Sequence, residues 1–311
     1  MAKIKHKLKS NNNLYDAPSF VRVIAYIITG IVALMALLPL LLTVSISITE
    51  ENILRTKGFS FIPEKIGFQG YEYLWNQRGT ILQSYGVTFA VTILGTLIGL
   101  TIMTMFAYAI SRKYFPERKF FVKVALVTML FSGGTLPAYI INTKLLHLQD
   151  TIWALCIPGT ISALNIFILR NFMVASVPDS IVESAKIDGA SEYTCFSKIV
   201  LPMAVPAIAT IALFLITALW SSWEKGILYI TNRTDLITIQ HFMMRIETNL
   251  ELLATATAGF NATDLAEIEK GIPGTSVRMS LAIIVVAPIL LVYPFVQRFF
   301  IQGIAIGSVK E

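Results

Sequence analysis

The chain has 311 residues, 55% of them hydrophobic and only 14% charged, with a formal net charge of +6. Its mean hydropathy of +0.68 excludes a soluble domain with a water-facing surface and makes the bilayer its natural solvent. The positive charge gathers at the ends of apolar runs, where it suits anionic lipid and is no sign of nucleic acid.

Residues 1–19 form a basic segment, in which Lys3, Lys5, Lys7 and Lys9, with Arg22 just beyond, face a single acid, Asp16. Basic residues collect on the cytoplasmic side, so the amino terminus is expected inside. A cleaved leader fits poorly, because the next apolar run is too long and no small-x-small site closes it. A span needs roughly 20 apolar residues, and six segments qualify: 20–48, 84–111, 120–141, 151–172, 206–230 and 277–301. Their continuous apolarity excludes the short alternating segments of a barrel. The expectation is an all-α membrane protein, one six-helix domain over 20–311, with both termini cytoplasmic.

After the second span, Arg112, Lys113, Arg118, Lys119 and Lys123 against Glu117 repeat the inward bias. The third span is interrupted by Ser132-Gly133-Gly134-Thr135-Leu136-Pro137. Broken backbone at membrane depth faces protein or water rather than lipid. Ser132, Thr135 and Tyr139 could there bond solute hydroxyls, or the break is a packing kink. In the fourth span Asn165 either lines the same path or bonds a neighbouring helix.

The fifth span ends in Trp220-Ser221-Ser222-Trp223-Glu224-Lys225. Trp220 and Trp223 lie three apart, on one helix face, suited to stacking on sugar rings, with Glu224 to fix hydroxyls; an interfacial tryptophan belt is the competing reading. Segment 231–276 carries three basic residues and six acids, which places it outside. It is long for a bare loop, so helical structure is expected in it, as a surface for an extracellular solute-binding protein. The triplets at Asn232 and Asn261 match the glycosylation pattern by chance often enough to carry no function.

No phosphate-binding G-x-x-x-x-G-K-[ST] loop occurs. His6, His147 and His241 are scattered, and Cys156 and Cys195 sit at different expected depths, so no metal centre or disulfide framework is expected.

Segment 174–205 carries Lys186 and Lys198 against Asp179, Glu183, Asp188 and Glu192. Charge does not place it on either side; the parity of the spans puts it inside. It reads as two short helices around a turn. Pro178 and Asp179 suit a helix start, and Gly189 suits a left-handed stop. Tyr193, Phe196, Ile199 and Val200 give the second helix an apolar face, and Pro202 and Pro206 break it before the fifth span.

Here Glu183-Ser184-Ala185, Asp188-Gly189-Ala190, then Ile199, Leu201 and Pro202 resemble the EAA loop of ATP-binding cassette (ABC) importer permeases, with Ser184 in place of the first alanine. The likeness covers nearly the whole chain, including 131–159, 276–300 and 302–311, and is nearest to oligosaccharide permeases of the maltose type. Such permeases usually show W-N-x-W where this chain has Trp220-Ser221-Ser222-Trp223, so Ser221 replaces an amide.

The resemblance implies the type I importer permease fold and a coupling role for Glu183, Ala185, Asp188, Gly189 and Ala190, docked in a cleft of an ATPase subunit. It implies a second, homologous permease as heterodimer partner, two ATP-binding subunits, an extracellular solute-binding protein and a carbohydrate solute. No cofactor is expected on this chain; ATP and Mg belong to the partner ATPase. A self-sufficient carrier would instead show inverted repeats or intramembrane charge pairs. An intramembrane enzyme would show a nucleophile and base at usable spacing.

Overall fold

The computed structural model describes residues 19–257 and 274–308, with side chains over 20–252 and 274–291. Most of the basic amino-terminal segment, the Asn261 triplet, part of segment 231–276 and the last residues of the tail lie outside the described residues.

Fourteen helices follow in order among the described residues: α1 Ser19–Ser47, α2 Glu51–Lys57, α3 Gln69–Asn76, α4 Arg78–Ser111, α5 Arg118–Leu130, α6 Thr135–Leu145, α7 Ile152–Cys156, α8 Ala163–Ser176, α9 Asp179–Ile187, α10 Glu192–Met203, α11 Val205–Trp220, α12 Glu224–Tyr229, α13 Ile239–Thr257 and α14 Gly274–Ser308. Residues 20–47, 78–111 and 274–291 form helices long and apolar enough to cross a membrane. α1 does so with its apolar side chains exposed over nearly its whole length, burying only Ser45, Ile46 and Ser47.

The remaining expected spans are not straight. α5 and α6 meet at 114° across Phe131–Gly134, where Gly134 takes φ 80°. The break foreseen at the glycine pair is therefore an elbow rather than a kink in a continuous rod. Segment 151–172 is split into α7 and α8 around Pro158-Gly159, with Gly159 at φ 70°. Its apolarity concealed the break, because hydropathy reports burial and not backbone geometry. α10 and α11 meet at 78°. The break falls at Ala204: Pro202 lies in the last turn of α10, and Pro206 occupies the first turn of α11, where a missing N–H costs little.

α4 is the axis. At 1.5 Å per residue its 34 residues run about 51 Å, and α3, α5, α7, α8, α11 and α13 all lean on it. Small residues make that possible. A Cβ on Gly95 would lie 2.7 Å from Leu219 Cδ1, and one on Gly99 would lie 2.5 Å from Thr160 Cγ2, so glycine there sets the helix separation.

Two cores form at the ends of α4. One joins Met103, Ala107 and Ile110 to α8, α9, α10 and α11 through Leu169, Val182, Cys195 and Ile211. The other joins Ile81 to α3, α13 and α14 through Leu74, Phe242 and Leu281. The helix expected within 231–276 is α13.

Candidate functional site

The segment 174–205 builds a knob at the Ser111 end of α4. Pro178 sits one position earlier than expected, as the cap before α9, and Asp179 opens the helix. α9 closes on Gly189, whose φ is 85°. Its N–H donates to the Lys186 carbonyl at 3.0 Å and the Ala190 N–H to that of Ala185 at 2.9 Å. These crossed bonds satisfy carbonyls that a helix end otherwise leaves open.

Burial then divides the motif residues into two sets. Val182 is buried, and Ala185 and Ala190 are half-buried against the core beside α4. Their small side chains let α9 lie close to its own protein. Glu183, Asp188 and Gly189 face outward, joined by Ile187 at 87% exposure and Tyr193 at 77%. On α10, Cys195 and Val200 are buried, Phe196, Ile199 and Leu201 are half-buried and Pro202 is exposed. Tyr193 leaves the apolar face expected to include it, because the capping bond from the Thr194 N–H to Ser191 Oγ starts α10 with Tyr193 pointing away.

A polar clamp ties the knob to α4. Arg112, 1% exposed, reaches Asp179 at 3.5 Å and lies 5.6 Å over the Tyr108 ring. Lys113 Nζ lies 3.0 Å from the same carboxylate. Glu192 accepts from Tyr108 Oη at 2.6 Å and Tyr114 Oη at 3.0 Å and pairs with Lys186. Lys186 Nζ also sits 3.3 Å over the Tyr114 ring.

Burial pushes the Glu192 carboxyl upward, but Lys186, Tyr108 and Tyr114 outweigh it and hold it below its ordinary value. Sequence reading took Arg112 and Lys113 as topology markers and Asp179 as a helix-start charge. Their partnership spans nearly seventy residues, and no local spacing signals it.

The proposed solute-path residues do not form one surface. Trp220 is buried: its Nε1–H donates to the Val285 carbonyl at 3.3 Å, and its ring meets Phe89 edge-on at 5.2 Å. It is a packing residue between α4 and α14. α11 ends at Trp220, so Ser221, Trp223 and Glu224 stand exposed in and after a turn rather than on the same helix face. Ser132 and Thr135 are exposed at the elbow, and Asn165 is half-buried on α8. Tyr139 stacks on Tyr229 with centroids 6.0 Å apart, and Asn142 donates to Tyr229 Oη at 3.1 Å, which ties the elbow's second arm to α12.

A second set of polar contacts closes the far end. Asp150 accepts backbone N–H groups from Thr231 at 2.7 Å and Asn232 at 3.0 Å. The Asn232 and Thr231 donors hold its carboxyl well below the usual range despite desolvation. Glu51 accepts from the Thr275 and Ser276 N–H groups at 3.1 and 2.9 Å, beside Arg55, and so caps the start of α14 with negative charge. Among the described residues no group of three or more His, Cys, Asp or Glu side chains is placed to hold a metal. Cys156 and Cys195 are free and buried, Cys195 in the core beside α9 and Cys156 in a separate cluster with Val91, Leu155 and Leu219.

A sequence model described as binding-protein-dependent transport system inner membrane component matches residues 118–306. The chain is 35% identical over 280 residues to the polygalacturonan/rhamnogalacturonan transport system permease protein YtcP of Bacillus subtilis (strain 168), covering 89% of this chain and 94% of that protein. It is 36% identical over 283 residues to Protein LplC of the same organism, covering 90% and 92%. Among solved structures it resembles a chain from a bacterial ABC transporter involved in the import of the acidic polysaccharide alginate, with a TM-score of 0.76 and 25% identity over 92% of this chain and 99% of that one.

Proposed function

The chain belongs to the family of binding-protein-dependent transport system inner membrane components, a membrane transport subunit and not an enzyme, and from that premise we propose that it imports a carbohydrate using ATP hydrolysed elsewhere. The family implies ATPase and solute-binding-protein partners. We infer that the active assembly pairs this chain with a second, homologous permease and two ATP-binding subunits, which carry the ATP and Mg. The α9–α10 knob then lies in the cytoplasm with both termini, and segment 231–276 faces outside. The carbohydrate reading draws on relatives named for polygalacturonan and alginate transport.

The observation that carries the mechanism is the two-sided knob. Its inner side, Val182, Ala185 and Ala190, is packed into the core, while Ile187 and Tyr193 stand in solvent with Glu183 and Asp188 beside them. Exposed apolar residues ringed by carboxylates suit a partner's cleft: the apolar side chains anchor and the carboxylates take charge-assisted hydrogen bonds. Motion of the cleft on ATP binding is delivered through Arg112–Asp179 and Glu192–Tyr108 to α4 and around the bend at Ala204 to α11. α4 and α11 pack on each other, which supports their moving as a pair when the path alternates. Trp223, Ser221, Glu224, Ser132, Thr135, Tyr139 and Asn165 remain the candidates for solute contact, and Trp220 is withdrawn from that set.

Both native cysteines are buried, so Ile187→Cys introduces one accessible thiol on the knob. In membranes carrying the whole transporter it should crosslink to the ATPase subunit, with a yield that changes on ATP binding. Crosslinking to no ATPase, with the same thiol freely labelled by maleimide, would refute the docking.

A further inference from the structure

Beside the clamp, the turn between α4 and α5 and Arg170 of α8 form an open cavity of about 470 Å³ lined by Lys113, Arg118, Lys119 and Arg170 together with Phe115 and Val122. Four cations line it and no carboxylate does. Arg170 is held in place by neutral acceptors, the Ile110 carbonyl at 3.2 Å and Asn171 Oδ1 at 3.0 Å, so its charge is not cancelled there. Lys113 is shared with Asp179.

Arg118 and Lys119 occupy the first turn of α5, and Glu117 before them makes no side-chain cap bond. The positive end of the helix dipole disfavours cations at that place, and like charges around one cavity repel. An anion relieves both. Phe115 stacks on Phe121 at 5.9 Å to form one wall. From the cavity, α5 runs on with Phe120, Val124, Val127 and Leu130 exposed, an apolar strip beginning where the cations end.

We propose that this cavity seats the phosphate of an anionic glycerophospholipid, with Arg118, Lys119 and Arg170 around the headgroup and the apolar strip of α5 under its acyl chains. The inference rests on the preceding reading only in requiring a bilayer. Because Lys113 borders the cavity and also holds Asp179 at the start of α9, the lipid and the knob share a side chain.

The test is native mass spectrometry of the chain with whatever subunits accompany it, purified in mild detergent. Wild type should retain phosphatidylglycerol in preference to phosphatidylcholine. Arg118→Gln with Lys119→Gln should lower that retention about 30-fold, the effect of two cations near a membrane surface. Lys57→Gln with Lys65→Gln, at the opposite end of α4, should leave it unchanged. In a thermal scan of delipidated protein, short-chain phosphatidylglycerol should raise Tm and inorganic phosphate at the same concentration should not.

Equal retention by wild type and the Arg118/Lys119 variant, equal retention of phosphatidylcholine, or an equal rise from inorganic phosphate would each overturn the assignment. So would loss of an ATPase subunit from that variant, since the cavity would then be a protein contact. Absence of an ATPase from the wild-type preparation would count against the importer reading alone, because lipid retention is read independently.

Discussion

Gly189→Val tests whether the knob transmits motion. The native φ of 85° lies where side-chain-bearing residues are strained, and a Cβ there meets nothing within 4 Å, so the whole effect is on the backbone and none on packing. The strain is about 1–2 kcal/mol, greatest for a β-branched residue. At 1.4 kcal/mol per tenfold this depopulates the closed turn roughly 5- to 30-fold. Relief opens the bonds to Lys186 and Ala185 and lets α9 pivot about Val182. Both cores around α4 stay intact, so membrane insertion should be unchanged. In proteoliposomes holding the complete transporter, solute moved per ATP hydrolysed should fall several-fold, and Gly189→Asn, which tolerates the left-handed region, should fall much less. Wild-type stoichiometry in the valine variant, or equal loss in both variants, would refute the argument.

Trp220→Ala should destabilise the chain by about 3–5 kcal/mol, as for other buried aromatic truncations, seen as a lower Tm in detergent; an unchanged Tm with weakened solute affinity would return Trp220 to the solute path. Trp223→Ala should alter solute-stimulated ATPase more than basal ATPase in the reconstituted transporter, and equal effects on both would make it a packing residue. For Glu51, burial raises the carboxyl but the Ser276 and Thr275 donors and Arg55 outweigh it, so its folded pKa lies below its ordinary value. Its contribution is therefore full above the unfolded pKa and is lost as pH falls through the folded one. Glu51→Gln should lower Tm at neutral pH and flatten the acid side of the Tm profile; parallel profiles would show that the cap contributes nothing.

The long apolar helices were legible because bilayer thickness dictates length and hydropathy reports it. The end of α9 was legible too, since glycine after three helical turns has one common backbone use. The split between α7 and α8 was written in Pro158-Gly159 but masked by the apolarity around it. The helix face read as shared by Trp220 and Trp223 does not form, because helical spacing was extended past the point where α11 stops. The sharing of Asp179 between Arg112 and Lys113 has no local signature, for it exists only once α8 has brought α9 back to the end of α4. The packing of Ala185 and Ala190 against the core beside α4 was equally hidden, because small residues permit close approach on either side.

The length of α4 has a mechanical meaning. Its Ser111 end is gripped by the knob and its Arg78 end is embedded in the other core, so the helix couples two places that share no other single element. A rigid rod of about 51 Å tilted by about 5° around one end carries the other through about 4 Å. A small rotation at the knob is thus magnified into a displacement of several ångströms at the opposite core, without any helix unwinding.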